Sequence, residues 1–451
     1  MASSRLIYNI KQLVNVRRES RLLWGREMAD LPCIDDAWLL VEGDRIAGYG
    51  EMRALPPGLE AMIGVRSAPA YVGEPDFFNY GEFAAIRNGG LAEDGQAVDS
   101  QAVDASGRLV LPAWCDSHTH LVYAGSREGE FVDKIRGLSY AEIAARGGGI
   151  LNSARQVAAA SEESLYLEAW ERLKELIRLG TGAIEIKSGY GLTVEGELKM
   201  LRVIKRLKEV SPIPVKATFL GAHTYPPEYR DDHDGYIRLI VEEMLPAIGR
   251  EGLAEYIDVF CERGFFSVEE TERVVRAGVA FGLRPKIHAN QLHLSGGVET
   301  GIRLGAISVD HLETMDAGAI GALAGSDTIG TLLPTAAFFL RMSFQPAREL
   351  LDAGCAIAVA SDYNPGSSPS GNMNLVVAMS CIRMRMLPEE AINAATLNGA
   401  YAMSLGDELG SITAGKRANL IITQPVPSLA FLPYAFGSNL IGRVMIGGEF
   451  V

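Results

Sequence analysis

No stretch of the 451-residue chain approaches the ~20 consecutive apolar residues of a membrane helix, which argues against a helical membrane span. The opening residues, MASSRLIYNIKQLVNVRRES, are broken by charge and lack the apolar core of a secretion signal. Cysteine is sparse. The five residues, Cys33, Cys115, Cys261, Cys355 and Cys381, are scattered without a C-x-x-C pair, so they predict buried free thiols in a reducing cytoplasm rather than a disulfide framework. Positive charge is in deficit, with 42 Lys and Arg against 56 Asp and Glu and a net charge of −14. Such a surface repels nucleic acid and anionic lipid, which leaves a small molecule as the expected partner. Histidine is scarce too, with seven residues in all, so the position of each one is informative.

Glycine is plentiful at 49 residues, as a fold with many tight strand–helix turns requires. From about residue 107 to 405, apolar strand runs alternate with helical patterns, the signature of parallel βα units. The strand candidates are Arg108–Trp114, Thr181–Ile186, Val215–Leu220, Tyr256–Phe260, Arg284–Ile287, Ala306–Val309, Thr328–Leu333 and Ala356–Ala360. Between them Ser161 opens a helix closed by Gly180, and Ser267 with Glu270 spells a capping box. Eight such units predict an α/β fold, a closed (β/α)₈ barrel, with a doubly wound open sheet as the alternative. The flanks, 1–106 and 406–451, carry short strand-like runs (Leu6–Tyr8, Ala37–Val41, Arg45–Tyr49, Asn419–Thr423, Gly442–Ile446) that could not bury a sheet face alone. They are expected to pair into one small β-sandwich domain, with residues 67–101, rich in Gly, Pro, Ala and acidic residues, as an insertion or surface loop.

A (β/α)₈ barrel carries its chemistry at the C-terminal ends of its strands. Five of the seven histidines stand at such ends: His118 and His120 after the first strand, then His223, His288 and His311, while Asp362 follows the eighth. Any one of these is an ordinary polar residue. Together they deliver imidazole and carboxylate from separate strands to one mouth. Residues two apart on a strand point the same way, so His118 and His120 grip one ion from one side, and His288 and Asp362 complete the set from across the barrel. Three imidazoles and a carboxylate suit one divalent metal, Zn²⁺ or Fe²⁺ (with Fe³⁺ as the oxidised form), with a position open for water.

The segments LVLPAWCDSHTHLVYAGSREGEF, EIKSGYGLTVEGELKMLRVIK, FLGAHTYPPEY, KIHANQL, DHLE and SDYNPGSSP resemble the imidazolonepropionase family of the amidohydrolase superfamily, from about Leu109 to the C-terminus. The H-x-H pair and the Asp mark only the superfamily; SREGEF, KSGYGLT and SDYNPGS are more specific. The resemblance implies hydrolytic ring opening of 4-imidazolone-5-propanoate to N-formimidoyl-L-glutamate, a step of histidine breakdown in the cytoplasm, by a homodimer. It implies His118, His120, His288 and Asp362 as metal ligands, His311 as a catalytic histidine beside Asp362, and substrate contacts from Arg127, Tyr140, Tyr190, His223, Asn364, Gly366 and Ser367. Arg127 offers a propionate the fixed, bidentate cation it needs.

Gln291 stands three residues after His288, where some family members carry Glu, and is expected to hydrogen-bond the substrate ring. A heterocycle deaminase of the same superfamily uses the same ligands but needs a carboxylate here to protonate the leaving amine, which an amide cannot do. Glu262, after the fourth strand, leaves room for a second metal, and Lys187 lies on the second strand. Gly147-Gly148-Gly149 lacks the GK[ST] ending of a phosphate cradle and reads as a loop of the active site.

Overall fold

The computed structural model describes residues 4–63, 68–69, 102–138, 142 and 148–451. Tyr140, Gly147 and most of the expected insertion at 67–101 lie outside them.

Both ends of the chain build one sheet. The strands β1 (Ser4–Val14), β2 (Cys33–Glu42) and β3 (Arg45–Glu51) form an antiparallel meander. The other edge of β1 takes β5 (Ala102–Asp104), which also pairs with β4 (Ala68–Pro69), and β6 (Leu109–Pro112). A bulge between Ile7 and Ile10, with Asn9 at φ 53°, separates the half of β1 that faces β5 from the half that faces β6.

The barrel follows in β7 (Trp114–Asp116), β8 (Thr181–Lys187), β9 (Val215–Ala222), β10 (Tyr256–Cys261), β11 (Arg284–Ala289), β12 (Ser308–His311), β13 (Ile329–Leu332) and β14 (Ile357–Val359). These pair in parallel in strict chain order, which rules out the doubly wound alternative. The chain then returns to the first sheet. There β15 (Leu420–Thr423) lies on β6 and is followed by β16 (Ile441–Ile446) and β17 (Glu449–Phe450), so first and last segments interleave. Ile7, Leu13, Leu39, Val110, Leu420 and Met445 share its core, so each end of the chain supplies part of the face that buries the other.

One expected barrel strand needs correction. Arg108–Trp114 splits in two: Leu109–Pro112 pairs with β1 and β15 in the small sheet, and the barrel begins only at Trp114. Partners change within two residues, since Ala113 N–H donates to the Asn419 carbonyl and Trp114 N–H to that of Gly180. An unbroken apolar run carries no mark of such an exchange, because both sheets bury it equally.

Strands β7 and β14 are short, and the ring closes beyond their ends. Thr119 bridges Tyr363, Asp362 N–H donates to the His118 carbonyl (3.0 Å), and His120 N–H donates to the Tyr363 carbonyl (2.9 Å). Closure therefore runs through the residues expected to carry the chemistry. Around the ring, Ser161 caps the helix Glu162–Arg178, and Ser267 with Glu270 closes a capping box on Val268–Ala280. Among the described residues, no helix is long and apolar enough to cross a membrane.

Candidate active site

Thr119 fixes the direction of its neighbours. Its hydroxyl donates to the Glu185 carbonyl (2.6 Å) and its carbonyl accepts from Lys187 N–H (2.8 Å). His118 and His120 therefore both face the barrel axis, where each Nε2 lies 3.5 Å from Asp362 Oδ1. The His288 ring stands 4.6 Å from that of His118, and His311 is 5.3 Å from His288. His118, His120 and Asp362 hold ligating atoms within 4.8 Å of one another, and so do His118, His288 and His311. The backbone is bent to achieve this: His311 (φ 86°), Leu312 (φ 65°) and Asp362 (φ 51°) occupy the left-handed region, a strain typical of functional sites.

The electrostatics keep the imidazoles available. Burial drives His118 and His120 well below the ordinary histidine range and His223 down to about 3, so all three are neutral lone-pair donors. His223 Nδ1 points at the Gly189 carbonyl (3.0 Å), which leaves Nε2 as an acceptor facing the cavity. His311 moves upward instead, because Glu313, 3.3 Å from its Nδ1, outweighs the cost of burial. Burial also lifts the Asp362 carboxyl, against the pull of His311 and His288. Among the described residues, the Nε2 atoms of His118 and His288 are buried without a hydrogen-bond partner. An unpaired buried acceptor costs about 1–3 kcal/mol, and a divalent metal would satisfy both.

Beneath this cluster lies a layer that the sequence pattern did not single out. Asp310 Oδ2 sits 2.6 Å from His118 Nδ1, and Asp258 Oδ2 sits 2.9 Å from His288 Nδ1. Lys187 Nζ lies between them, 2.9 Å from Asp258 and 3.6 Å from Asp310, and also donates to Glu185 (2.6 Å). Lys286 pairs with Glu185 and with the Ser117 carbonyl (3.0 Å). Burial would raise the Asp258 carboxyl, but His288 and Lys187 together hold it below the usual range. Asp310 holds the His118 ring by Nδ1 and leaves its Nε2 free, as carboxylates behind metal-binding histidines commonly do, while Asp258 accepts the backbone N–H of His288 (3.1 Å) and lies at ion-pair distance from its ring. A signal existed in the sequence: Glu185, Lys187, Asp258 and Asp310 interrupt runs that otherwise read as wholly buried strands. Glu262 faces elsewhere. It accepts from the N–H groups of Arg263, Leu292 and His293 (2.8–3.2 Å), so its oxygens are occupied by a loop.

Above the cluster opens a cavity of about 400 Å³. His120, Asp362, Tyr190, His223 and Gln291 line it, together with Arg127, Asn364, Gly366 and Ser367. Asn364 folds its own loop, accepting from Gly366 N–H and Ser367 N–H at 2.8 Å, and Ser367 Oγ donates to Asp362 Oδ2 (3.1 Å). The Arg127 guanidinium passes so close to Gly366 that a Cβ there would lie 2.0 Å from Nη1. The Arg127 side chain is only 9% exposed and is paired with Glu130 (2.8 Å), unlike a solvated loop arginine.

Known proteins bear on this arrangement in three ways. A sequence model of the Amidohydrolase family matches residues 267–451. The imidazolonepropionase of Flavobacterium johnsoniae is 53% identical over 447 residues, covering 99% of each chain, and that of Alkaliphilus oremlandii is 38% identical over 446 residues, covering 99% of this chain and 97% of the other. The chain belongs to the imidazolonepropionase family. Among solved structures, the guanine deaminase of E. coli superposes with a TM-score of 0.69 at 13% identity, covering 100% of this chain and 99% of the other. A zinc-bound adenosine deaminase from Xanthomonas campestris gives 0.61 at 16%, covering 99% and 92%. At such identities the deaminases share the fold alone. As in other amidohydrolases, this family member has a His and Asp cluster able to bind a metal at the C-terminal mouth of its barrel.

Proposed function

We propose that the chain opens the ring of 4-imidazolone-5-propanoate by hydrolysis, giving N-formimidoyl-L-glutamate. The observation that carries this is the 53% identity to an imidazolonepropionase across 99% of both chains. The cavity supports it, because SREGEF, KSGYGLT and SDYNPGS, distant in sequence, all contribute to its wall. One metal, zinc or iron, is assigned to His118, His120, His288 and Asp362, and when bound it supplies the Lewis acidity that makes water nucleophilic at neutral pH. Residues 107–405 form the catalytic barrel and the flanks its small β-domain, with Leu109–Pro112 reckoned to the latter. The enzyme is assigned to the cytoplasm, as a homodimer.

In this reaction water adds to the ring amide carbonyl and the carbonyl–nitrogen bond breaks. Asp362, whose Oδ2 is held by Ser367, takes the proton from water and returns it to the departing nitrogen. His311, whose hold on a proton is strengthened by Glu313 against the cost of burial, steadies the developing oxyanion. His223 and Tyr190, 5.4 Å apart ring to ring, pack against the substrate ring from one side of the cavity. Arg127 holds the propionate, which fixes the face the ring presents. The test is loss of imidazolone absorbance on adding enzyme, with the unstable substrate generated in situ; no acceleration sinks the assignment.

Arg127→Met should lower kcat/KM by roughly 2–4 kcal/mol, the scale of stranding one partner of a buried charged pair. Near-native kinetics would remove Arg127 from the substrate site. Gln291 separates hydrolase from deaminase. The native enzyme should open imidazolone and release no ammonia from cytosine, adenine or guanine derivatives. Gln291→Glu should stay a hydrolase, since either side chain accepts from a ring N–H, and Gln291→Leu should cost roughly 1–3 kcal/mol. Ammonia release without imidazolone turnover would reverse the choice.

A further inference from the structure

A second cation stands in the cavity wall, and neither motif nor resemblance pointed to it. The helix Glu128–Ile135 begins directly after Arg127, and Glu130 and Lys134 follow at helical spacing on the same face. Lys134 lines the cavity together with Arg127, and its Nζ reaches the Gly366 carbonyl at 3.4 Å, the residue against which the Arg127 guanidinium packs. The charges on this wall do not balance. Glu130 is committed to Arg127, to Gly149 N–H (3.2 Å) and to Asn152 (2.9 Å). Among the described residues no carboxylate lies within ion-pair distance of Lys134, whose other neighbour is the Phe339 ring 5.7 Å away. Burial, with the adjacent guanidinium, draws its ammonium below the usual lysine range. In a chain of net charge −14, one wall of one cavity therefore keeps an uncompensated, half-buried positive charge.

Resting on the function proposed above, we infer that Lys134 is a specificity-determining residue that pairs with the substrate's side-chain carboxylate. Arg127 contributes directed N–H donors, but Glu130 has already neutralised its charge. Lys134 contributes the net charge, and so decides whether an anionic tail is preferred to a neutral one. Its contact with the Gly366 carbonyl places the ammonium beside Arg127 on the same wall, where the two cations meet the tail together.

The test is Lys134→Met, with Lys134→Arg as the charge-preserving companion. Lys134→Met should raise KM for imidazolone propanoate by ~10-fold or more, with kcat at saturation within about twofold of native, because a uniform binding contact has been lost. Lys134→Arg should recover most of the affinity. Calorimetry supplies a readout independent of turnover: the native protein should bind imidazole-4-propanoate at least ~10-fold more tightly than 4-methylimidazole, and Lys134→Met should erase most of that preference. Unchanged KM and unchanged preference in Lys134→Met would overturn the inference, as would a loss confined to kcat. The two proposals fail separately. Native protein that opens no imidazolone refutes the function, whereas the carboxylate preference and its dependence on Lys134 are read by calorimetry in either case.

Discussion

Asp362→Ala and His118→Ala are each expected to give a folded barrel that retains no metal and has lost ring opening by on the order of a thousandfold or more, as several kcal/mol of Lewis-acid assistance disappear. Asp362 Oδ1 lies 3.5 Å from the Nε2 of both His118 and His120, so this carboxylate completes one group of candidate ligands with them, while His118 links that group to His288. It is also the group assigned to move the proton, so its removal affects two steps at once. The barrel should survive, because closure uses the backbone of Asp362 and not its side chain: the N–H donates to the His118 carbonyl. Asp362 sits at φ 51°, a conformation that costs alanine about 1 kcal/mol and asparagine less, so Asp362→Asn serves as the fold-preserving partner. Metal content after purification without added metal, alongside far-ultraviolet circular dichroism, reads the outcome. Stoichiometric metal in either alanine variant would strike that residue from the ligand set.

Lys187→Met is expected to destabilise the protein by about 3–5 kcal/mol, the scale of removing one member of a buried charged group. Its ammonium is fully enclosed and pairs with Glu185, Asp258 and Asp310 at 2.6, 2.9 and 3.6 Å. Methionine fills the space but leaves three buried carboxylates with Lys286 as the remaining ammonium of the layer. The loss should far exceed that of Arg202→Met, which breaks an exposed pair with Glu251 worth at most about 1 kcal/mol. Chemical denaturation of the metal-stripped proteins compares the three without any contribution from the metal. Equal midpoints for native and Lys187→Met would show that the carboxylates share the charge of Lys286 or are neutral.

The barrel was legible because its cause is local: seven of the eight expected strands each match one barrel strand, and the caps at Ser161 and Ser267 form where their side chains predict. The eighth, Arg108–Trp114, misled because pairing is a property of two segments, and a run buried in either of two sheets looks the same in both. The convergence of His118, His120, His288, His311 and Asp362 was also legible, since position at a strand end in a known barrel fixes which mouth a side chain reaches. Tyr140, expected in the pocket, lies outside the described residues.

By itself, then, the sequence determined the class of fold, the pairing of the two termini into one sheet and the convergence of His118, His120, His288, His311 and Asp362, because periodicity and strand-end position are properties of single segments. Only the tertiary structure decided the charge layer of Glu185, Lys187, Asp258, Lys286 and Asp310, the engagement of Glu262 by loop amides, and the pairing that, among the described residues, leaves Lys134 in the cavity wall without a carboxylate partner. Each of these depends on which charge meets which across different strands and loops. In the barrel interior burial makes such meetings strong, and no single segment records them.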